Sequence, residues 1–212
     1  MSTGVKRPLP RLRAEQVALT ERRIIDAATR LFVERGYVAT SLHAVAELAG
    51  VAPRTVYVRF GTKPRLLDRC IGTSIAGDRL AGTRFTRSYE IALTAPTLEA
   101  RIRALADVLR GVMERSAALL AVGSQAAAIE PEIAAMERAG LRDAHNHLRT
   151  FAERLAADGM VPPGLNTDGL PDTLWALAGP RTIVSFVSDR GWNSDHFADW
   201  LTSTLRFLLR AG

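Results

Sequence analysis

Residues 50–60 read GVAPRTVYVRF, and several of their side chains could do chemistry as a set. At about 100° per residue, a helix starting at Pro53 puts Arg54, Thr55, Val58 and Arg59 on one broad outward face. Val56 and Phe60 fall on the opposite face, with Tyr57 at its edge. Two guanidinium forks, a hydroxyl and a branched apolar side chain suit the major groove of double-stranded DNA. Arginine can bond both acceptors of a guanine, threonine can donate to a base or phosphate, and valine can touch a thymine methyl. Tyr57 can offer its hydroxyl to a phosphate while its ring packs on the domain.

A short reading helix needs a firm seat. Pro53 belongs in its first turn, where the missing N–H costs nothing and the fixed φ is already helical. Gly50 permits a sharp turn from a preceding helix that buries Leu42, Val45, Ala46 and Ala49. Two short helices joined by a Gly-containing turn, the second bearing cations and a hydroxyl, predict a helix-turn-helix over about 41–60. Thr40 and Ser41 stand at the N-terminus of the first of these helices, where free N–H groups and the helix dipole favour a phosphate. Lys63 opens the next helix and suits the same role.

The charge of the chain supports this placement. The net charge of +6 over 212 residues is unevenly spread. Residues 1–71 hold 13 Lys/Arg against 6 Asp/Glu, whereas the remainder holds 15 against 16. All the excess positive charge therefore lies in the N-terminal third, as expected of a footprint for a polyanion.

Around the motif the periodicity is helical throughout, and nothing alternates as strands do. Residues 1–19 read as a basic flexible arm, helical towards its end. Thr20 is a plausible cap for a helix that buries Ile24, Ile25, Ala28, Leu31 and Phe32 and stops at Gly36. A fourth helix starts near Thr62. Further on, Thr97 caps a helix with Ile102, Leu105, Leu109 and Met113 inward, Pro131 opens a long helix to about Ala157, and 158–169 is a Gly/Pro-rich loop. Two helices finish the chain. The first carries Pro180, expected to kink it, and the second steps through Phe197, Trp200, Leu201, Thr204, Leu205 and Leu208. The expected fold is all-α, with a DNA-binding domain over 20–70 and a larger helical domain over 71–212.

Other function classes find little support. His145 and His147 stand two apart on a helix, with no Cys or carboxylate set at ligand spacing, so no metal site and no cofactor are expected. No Ser/His/Asp, paired-carboxylate or phosphate-loop arrangement points to an enzyme. No apolar run approaches the ~20 residues that cross a bilayer, and the first residues lack a signal peptide's apolar segment. Cys70, the single cysteine, cannot form an internal disulfide, which suits a cytoplasmic protein.

The run from Thr20 to Cys70, above all GYVATSLHAVAELAGVAPRTVYVRFGTKPRLL, resembles the DNA-binding domain of the tetracycline-repressor (TetR) family of bacterial transcription regulators. The shared marks are Gly36-Tyr37, Thr40-Ser41, Ala49-Gly50-Val51, Tyr57, Phe60, Lys63 and Leu66. The segment with Trp175, Pro180, Gly191-Trp192, Trp200 and Leu201 looks like the last two helices of many members. The resemblance implies a homodimer formed through those helices, and a larger domain that binds a small effector. Effector binding would then release a palindromic DNA operator. Candidate effector contacts are Tyr89, Met113, Phe151, Trp175 and Phe186, all of which also fit a plain helical core. An alternative is a constitutive DNA-binding regulator with no ligand response. The chain departs from the family pattern at three positions. Ala52 stands where Ser commonly caps the reading helix, a loss of about 1 kcal/mol. Arg54 replaces a frequent Gly, and Pro53 precedes it. Arg54 is therefore the foremost candidate for a base-reading residue particular to this protein.

Overall fold

The computed structural model describes residues 10–77 and 84–210, with side chains for 14–77 and 87–210. It divides into two compact units, Met1–Cys70 and Ile71–Gly212. The fold is all-α, and no strand occurs among the described residues.

The smaller unit holds α1 (Pro10–Ala39), α2 (Leu42–Ala49), α3 (Pro53–Phe60) and the start of α4 (Lys63–Ala76). The apolar stripe of α1 supplies Ile24, Ala28, Leu31 and Phe32 to a core that Val45, Ala46, Val56, Leu66 and Leu67 complete. Burying each of the larger ones, the Ile, Leu, Val and Phe side chains, stabilises a fold by roughly 1.5–3 kcal/mol before conformational entropy is counted.

Two expectations for the N-terminal region change. Of the expected arm, residues 1–9 lie outside the described residues, but 10–19 are already helical. Thr20 is accordingly not a cap: it lies inside α1 and its hydroxyl donates to the Gln16 carbonyl at 2.8 Å. Proline is tolerated in a first turn, and a threonine inside a helix can satisfy its hydroxyl on the carbonyl four residues back. Helical geometry breaks at Gly36, whose φ of 77° and ψ of 175° only glycine adopts readily.

The larger unit is organised by α6 (Leu98–Ala127), which packs against α5 (Arg84–Thr94), α7 (Pro131–Ala157), α9 (Pro180–Ser188) and α10 (Ser194–Arg210). The Thr97 hydroxyl accepts from the Ala100 N–H at 3.2 Å and caps α6. The core runs from Ile102 and Leu105 on α6 through Leu148, Phe151 and Leu155 on α7 to Phe197, Leu201 and Leu205 on α10. Arg101, only 4% exposed, ties this core together. Its Nε donates to the Ala95 carbonyl at 2.8 Å and its Nη2 to Asp158 at 2.5 Å.

Pro180 ends one helix and starts another instead of kinking a single one. Helix α8 (Leu170–Ala178) stops at Gly179, which is extended at φ −68° and ψ 158°, and Pro180 takes the first position of α9. The residue before a proline is driven out of the helical region, so the helix ends there.

Candidate nucleic-acid interface

The helix-turn-helix is built from α2, its turn and α3. Ser41 caps α2, its hydroxyl accepting from the Ala44 N–H at 3.1 Å. At the other end Gly50 is left-handed, with φ 63° and ψ 42°. Its N–H donates to the Glu47 carbonyl at 3.1 Å, and the Val51 N–H to the Ala46 carbonyl at 3.0 Å. These paired bonds close the helix in the Schellman manner. The carbonyls of Ala49 and Gly50 are then taken by Arg23 from α1, whose Nη2 lies 2.6 Å and 3.3 Å away.

On α3, Ala52 occupies the capping position with no side-chain bond, and Pro53 follows at the first helical position. Val56 and Phe60 are buried and hold the helix to the core. Arg54, Val58 and Arg59 are exposed and Thr55 is half-buried, so the outward row is as wide as the wheel implies. Tyr57 differs from its expected placement against the core: it is 55% exposed. Its position at the rim lets the short helix turn the ring out once Val56 and Phe60 have filled the buried face.

The flanking candidates divide. Ser41 stays exposed beside the free N–H groups of α2. Thr40 points the other way: it is 2% exposed, with its hydroxyl on the Gly36 carbonyl at 2.8 Å and the Leu31 carbonyl at 3.1 Å. It fastens the end of α1 instead of offering a hydroxyl to the surface. Lys63 is half-buried, and its ammonium donates to the Tyr37 carbonyl at 2.9 Å while lying 4.1 Å from the Tyr37 ring centroid. Tyr37 in turn stacks on Phe32. This seat fixes where the Lys63 ammonium points. Arg23 and Tyr37 are positioning residues; Tyr37 is among the marks of the resemblance, but its seat for Lys63 is seen only in the fold, and Arg23 carries no sequence signal. Arg23 acts across 26 positions, beyond any helical spacing.

In the larger unit the effector candidates are only partly brought together. Met113 and Phe151 are buried in the core, with Trp175 and Phe186 packed against it. Phe186 belongs to an aromatic cluster, stacking on Trp192 at 4.3 Å between centroids and meeting Trp200 at 4.9 Å. Trp175 meets the edge of His145 at 5.6 Å. Tyr89 stands apart, its hydroxyl donating to the His147 carbonyl at 2.5 Å, and burial pushes its phenol up to about 12. None of the five lines the open groove between α6 and α10. Among the described residues no helix is long and apolar enough to cross a membrane.

The model of the family described as bacterial regulatory proteins, tetR family, matches residues 24–70. Over 50 residues the chain is 42% identical to YhgD, an uncharacterized HTH-type transcriptional regulator of Bacillus subtilis. That match covers 24% of this chain and 26% of YhgD, so it spans about a quarter of the relative's length. The fold is shared much further. FadR from Bacillus subtilis in complex with stearoyl-CoA superposes with a TM-score of 0.68 at 19% identity, over 89% of this chain and 97% of FadR. NalD, the secondary repressor of the MexAB-OprM multidrug efflux pump in Pseudomonas aeruginosa, gives 0.67 at 20% identity over 93% of this chain and all of NalD (100%). Residues 24–70 thus match the DNA-binding motif of the tetR family of bacterial regulatory proteins, and the fold of the chain is shared with the regulators above.

Proposed function

We propose that this protein is a sequence-specific DNA-binding transcription regulator, a repressor that leaves a palindromic operator when a small molecule binds its larger unit. The observation that carries the reading is the outward row of α3. Arg54 and Arg59 stand exposed on a helix fixed by Val56 and Phe60, and no carboxylate pairs with either among the described residues. Arg54, Thr55 and Val58 read base edges, while Ser41, Tyr57, Arg59 and Lys63 hold phosphates. Thr40 supports the row from beneath. The active species is a homodimer through the last two helices, since a twofold protein matches a palindromic site.

The effector reading draws support from the fold neighbour FadR, which binds stearoyl-CoA. Met113, Phe151, Trp175 and Phe186 give the larger unit an apolar interior suited to a lipophilic ligand. A ligand that binds the folded state raises the melting temperature, so a thermal-shift screen separates this regulator from a constitutive one.

The direct test is selection of binding sites from random DNA, followed by two substitutions. Arg54→Ala should weaken the selected site by roughly 1–3 kcal/mol and relax preference at one base pair per half-site. Lys63→Ala should weaken all sequences alike and lower the salt slope by about one unit per protomer. Unchanged affinity and preference in Arg54→Ala would remove that residue from the reading face.

A further inference from the structure

The groove between α6 and α10 has a volume of about 720 Å³. Two buried alanines, Ala106 and Ala198, line its floor, and their small side chains leave the space open. Thr202 and Ser203 stand midway along the α10 wall. Among the described residues neither hydroxyl makes a hydrogen bond, and the exposed Asp199 beside them has no ion-pair partner.

The charged groups separate into two ends. At one end Glu99 receives Arg206, Arg103 at 2.7 Å and Arg210 at 2.9 Å. Three guanidiniums on one carboxylate leave two positive charges in surplus. At the other end Arg110 lies 3.7 Å from Asp107 and 3.6 Å from Asp195, with Asp199 on the same wall. Three carboxylates around one guanidinium leave two negative charges in surplus. Asp199 and Arg206 are seven positions apart on α10, a rise of about 10 Å. Acids at the start of a helix and bases at its end often serve only its dipole, and α10 taken alone fits that account. Helix α6 does not: Arg103 stands in its second turn and Asp107 follows it. The polarity therefore belongs to the groove and not to either helix.

We propose that the groove binds a linear zwitterion of short-peptide length. Its ammonium group sits among Asp107, Asp195 and Asp199, its carboxylate at Arg103 and Arg206, and an amide between them on Thr202 and Ser203. A cleft of this size has room for such a ligand. An extended tripeptide spans about 10 Å, which matches the rise between the two ends. A molecule with one charge answers the surplus at one end and leaves the other unmet. Hydroxyls both donate and accept, as a peptide group does, so the two free ones suit an amide better than a methylene chain. The exposed edge of α10 marked by Phe207 lies about 100° round the helix from Arg206, so the groove is separate from it. The groove is also apart from the interior built by Met113 and Phe151, and binding there requires neither the operator nor a lipophilic effector.

Calorimetric titration of the full-length chain with triglycine at low salt tests it. Triglycine should bind, and added salt should weaken it by screening both end groups. N-acetyltriglycine lacks the ammonium group, triglycinamide lacks the carboxylate, and glycine holds its charges too close together. Each should bind about tenfold more weakly or worse. 8-Aminooctanoate spans the same distance without an amide and should fall between these and triglycine. Asp199→Asn should raise the triglycine dissociation constant about tenfold. Because Asp199 is exposed and unbonded, that variant should melt with the parent. Ala198→Leu fills the floor and should abolish binding, and Arg103→Gln probes the cationic end should Ala198→Leu melt early. No binding of triglycine, binding that Asp199→Asn and Arg103→Gln leave unchanged, or equal binding of the singly charged controls would overturn the site. Equal binding of 8-aminooctanoate and triglycine would overturn the peptide assignment. Site selection from random DNA is read separately, so its failure sinks the regulator and leaves this groove standing.

Discussion

Arg23 on α1 donates to the backbone carbonyl of Ala49 at 2.6 Å and so holds the turn of the helix-turn-helix from outside. The left-handed backbone at position 50 favours glycine, and the same guanidinium crowds it further. A Cβ there would lie 2.7 Å from Nη2, in addition to the strain of a φ of 63°. The last carbonyls of α2 carry the negative end of its dipole, which a cation satisfies well. Arg23 thereby couples the pose of α3 to the first helix.

Replacing Arg23 with Met keeps the aliphatic stem and removes the latch. The expected loss of stability is about 1 kcal/mol, below the usual range for a charged hydrogen bond because the side chain is exposed. The informative readout is DNA binding. A positioning residue lowers the ratio of specific to non-specific affinity and leaves the salt slope unchanged, whereas a phosphate contact lowers the slope by about one unit. Arg23→Lys should recover part of the ratio. A reduced slope at constant ratio would make Arg23 a phosphate ligand instead.

Ala52→Ser should strengthen the reading helix. Ala52 is exposed and extended at φ −65° and ψ 140°, the conformation of an N-cap, but contributes no side-chain bond. A serine hydroxyl there can accept from the Arg54 N–H, since the Thr55 N–H already donates to the Ala52 carbonyl at 2.8 Å. The expected gain is about 1 kcal/mol in urea unfolding. The selected DNA sequence should stay the same, since position 52 lies outside the reading row. An unchanged urea midpoint would show that the first turn is already satisfied.

These two residues also mark how far the sequence carries. Ala52, Pro53, Val56 and Phe60 are legible because caps, first-turn prolines and buried faces are set by neighbours within one or two turns. Ser41 and Thr97 are legible as caps for the same reason. Thr20 misleads because a threonine can equally well satisfy itself inside a helix. Pro180 misleads because the break is set by the extended Gly179 before it. Tyr57 falls inward by angle alone, which takes no account of how much contact surface Val56 and Phe60 leave. Arg23 with Ala49, Arg101 with Asp158 and Arg206 with Glu99 join positions 26, 57 and 107 apart. Chain folding alone brings such pairs together, and local pattern holds no trace of them.

Cys70 should be chemically silent in the folded protein. It is 1% exposed, and its thiol lies 3.7 Å from the Ile25 carbonyl. Burial pushes it up to about 12. A shift of that size leaves the thiolate population near pH 8 about a thousandfold below that of a free thiol, before the barrier of access is counted. Alkylation should therefore proceed only through opening of the smaller unit and accelerate sharply in urea. Rapid labelling under native conditions would mean that the packing of α4 on α1 opens readily.

Glu99 should give the larger unit a distinct acid sensitivity. Hydrogen bonding from Arg206 first, then the charges of Arg206 and Arg103, bring its carboxyl from the ordinary 4.5 down to about 2. A carboxyl held below its unfolded value contributes stability that is fully present above that value and lost as pH falls through the folded one. The window for Glu99 is thus pH 4.5 down to about 2. Glu99→Gln removes the contribution, so parent and variant melting temperatures should differ by a constant amount from about pH 5 to about pH 8. The gap should narrow as the pH drops below about 4.5 and close near 2, where the parent carboxyl also takes up its proton. A gap that persisted unchanged to the acid end would show that Glu99 acts through shape and hydrogen bonding alone. In that event its three arginines are held by geometry, and the charge of the carboxylate adds nothing to the fold.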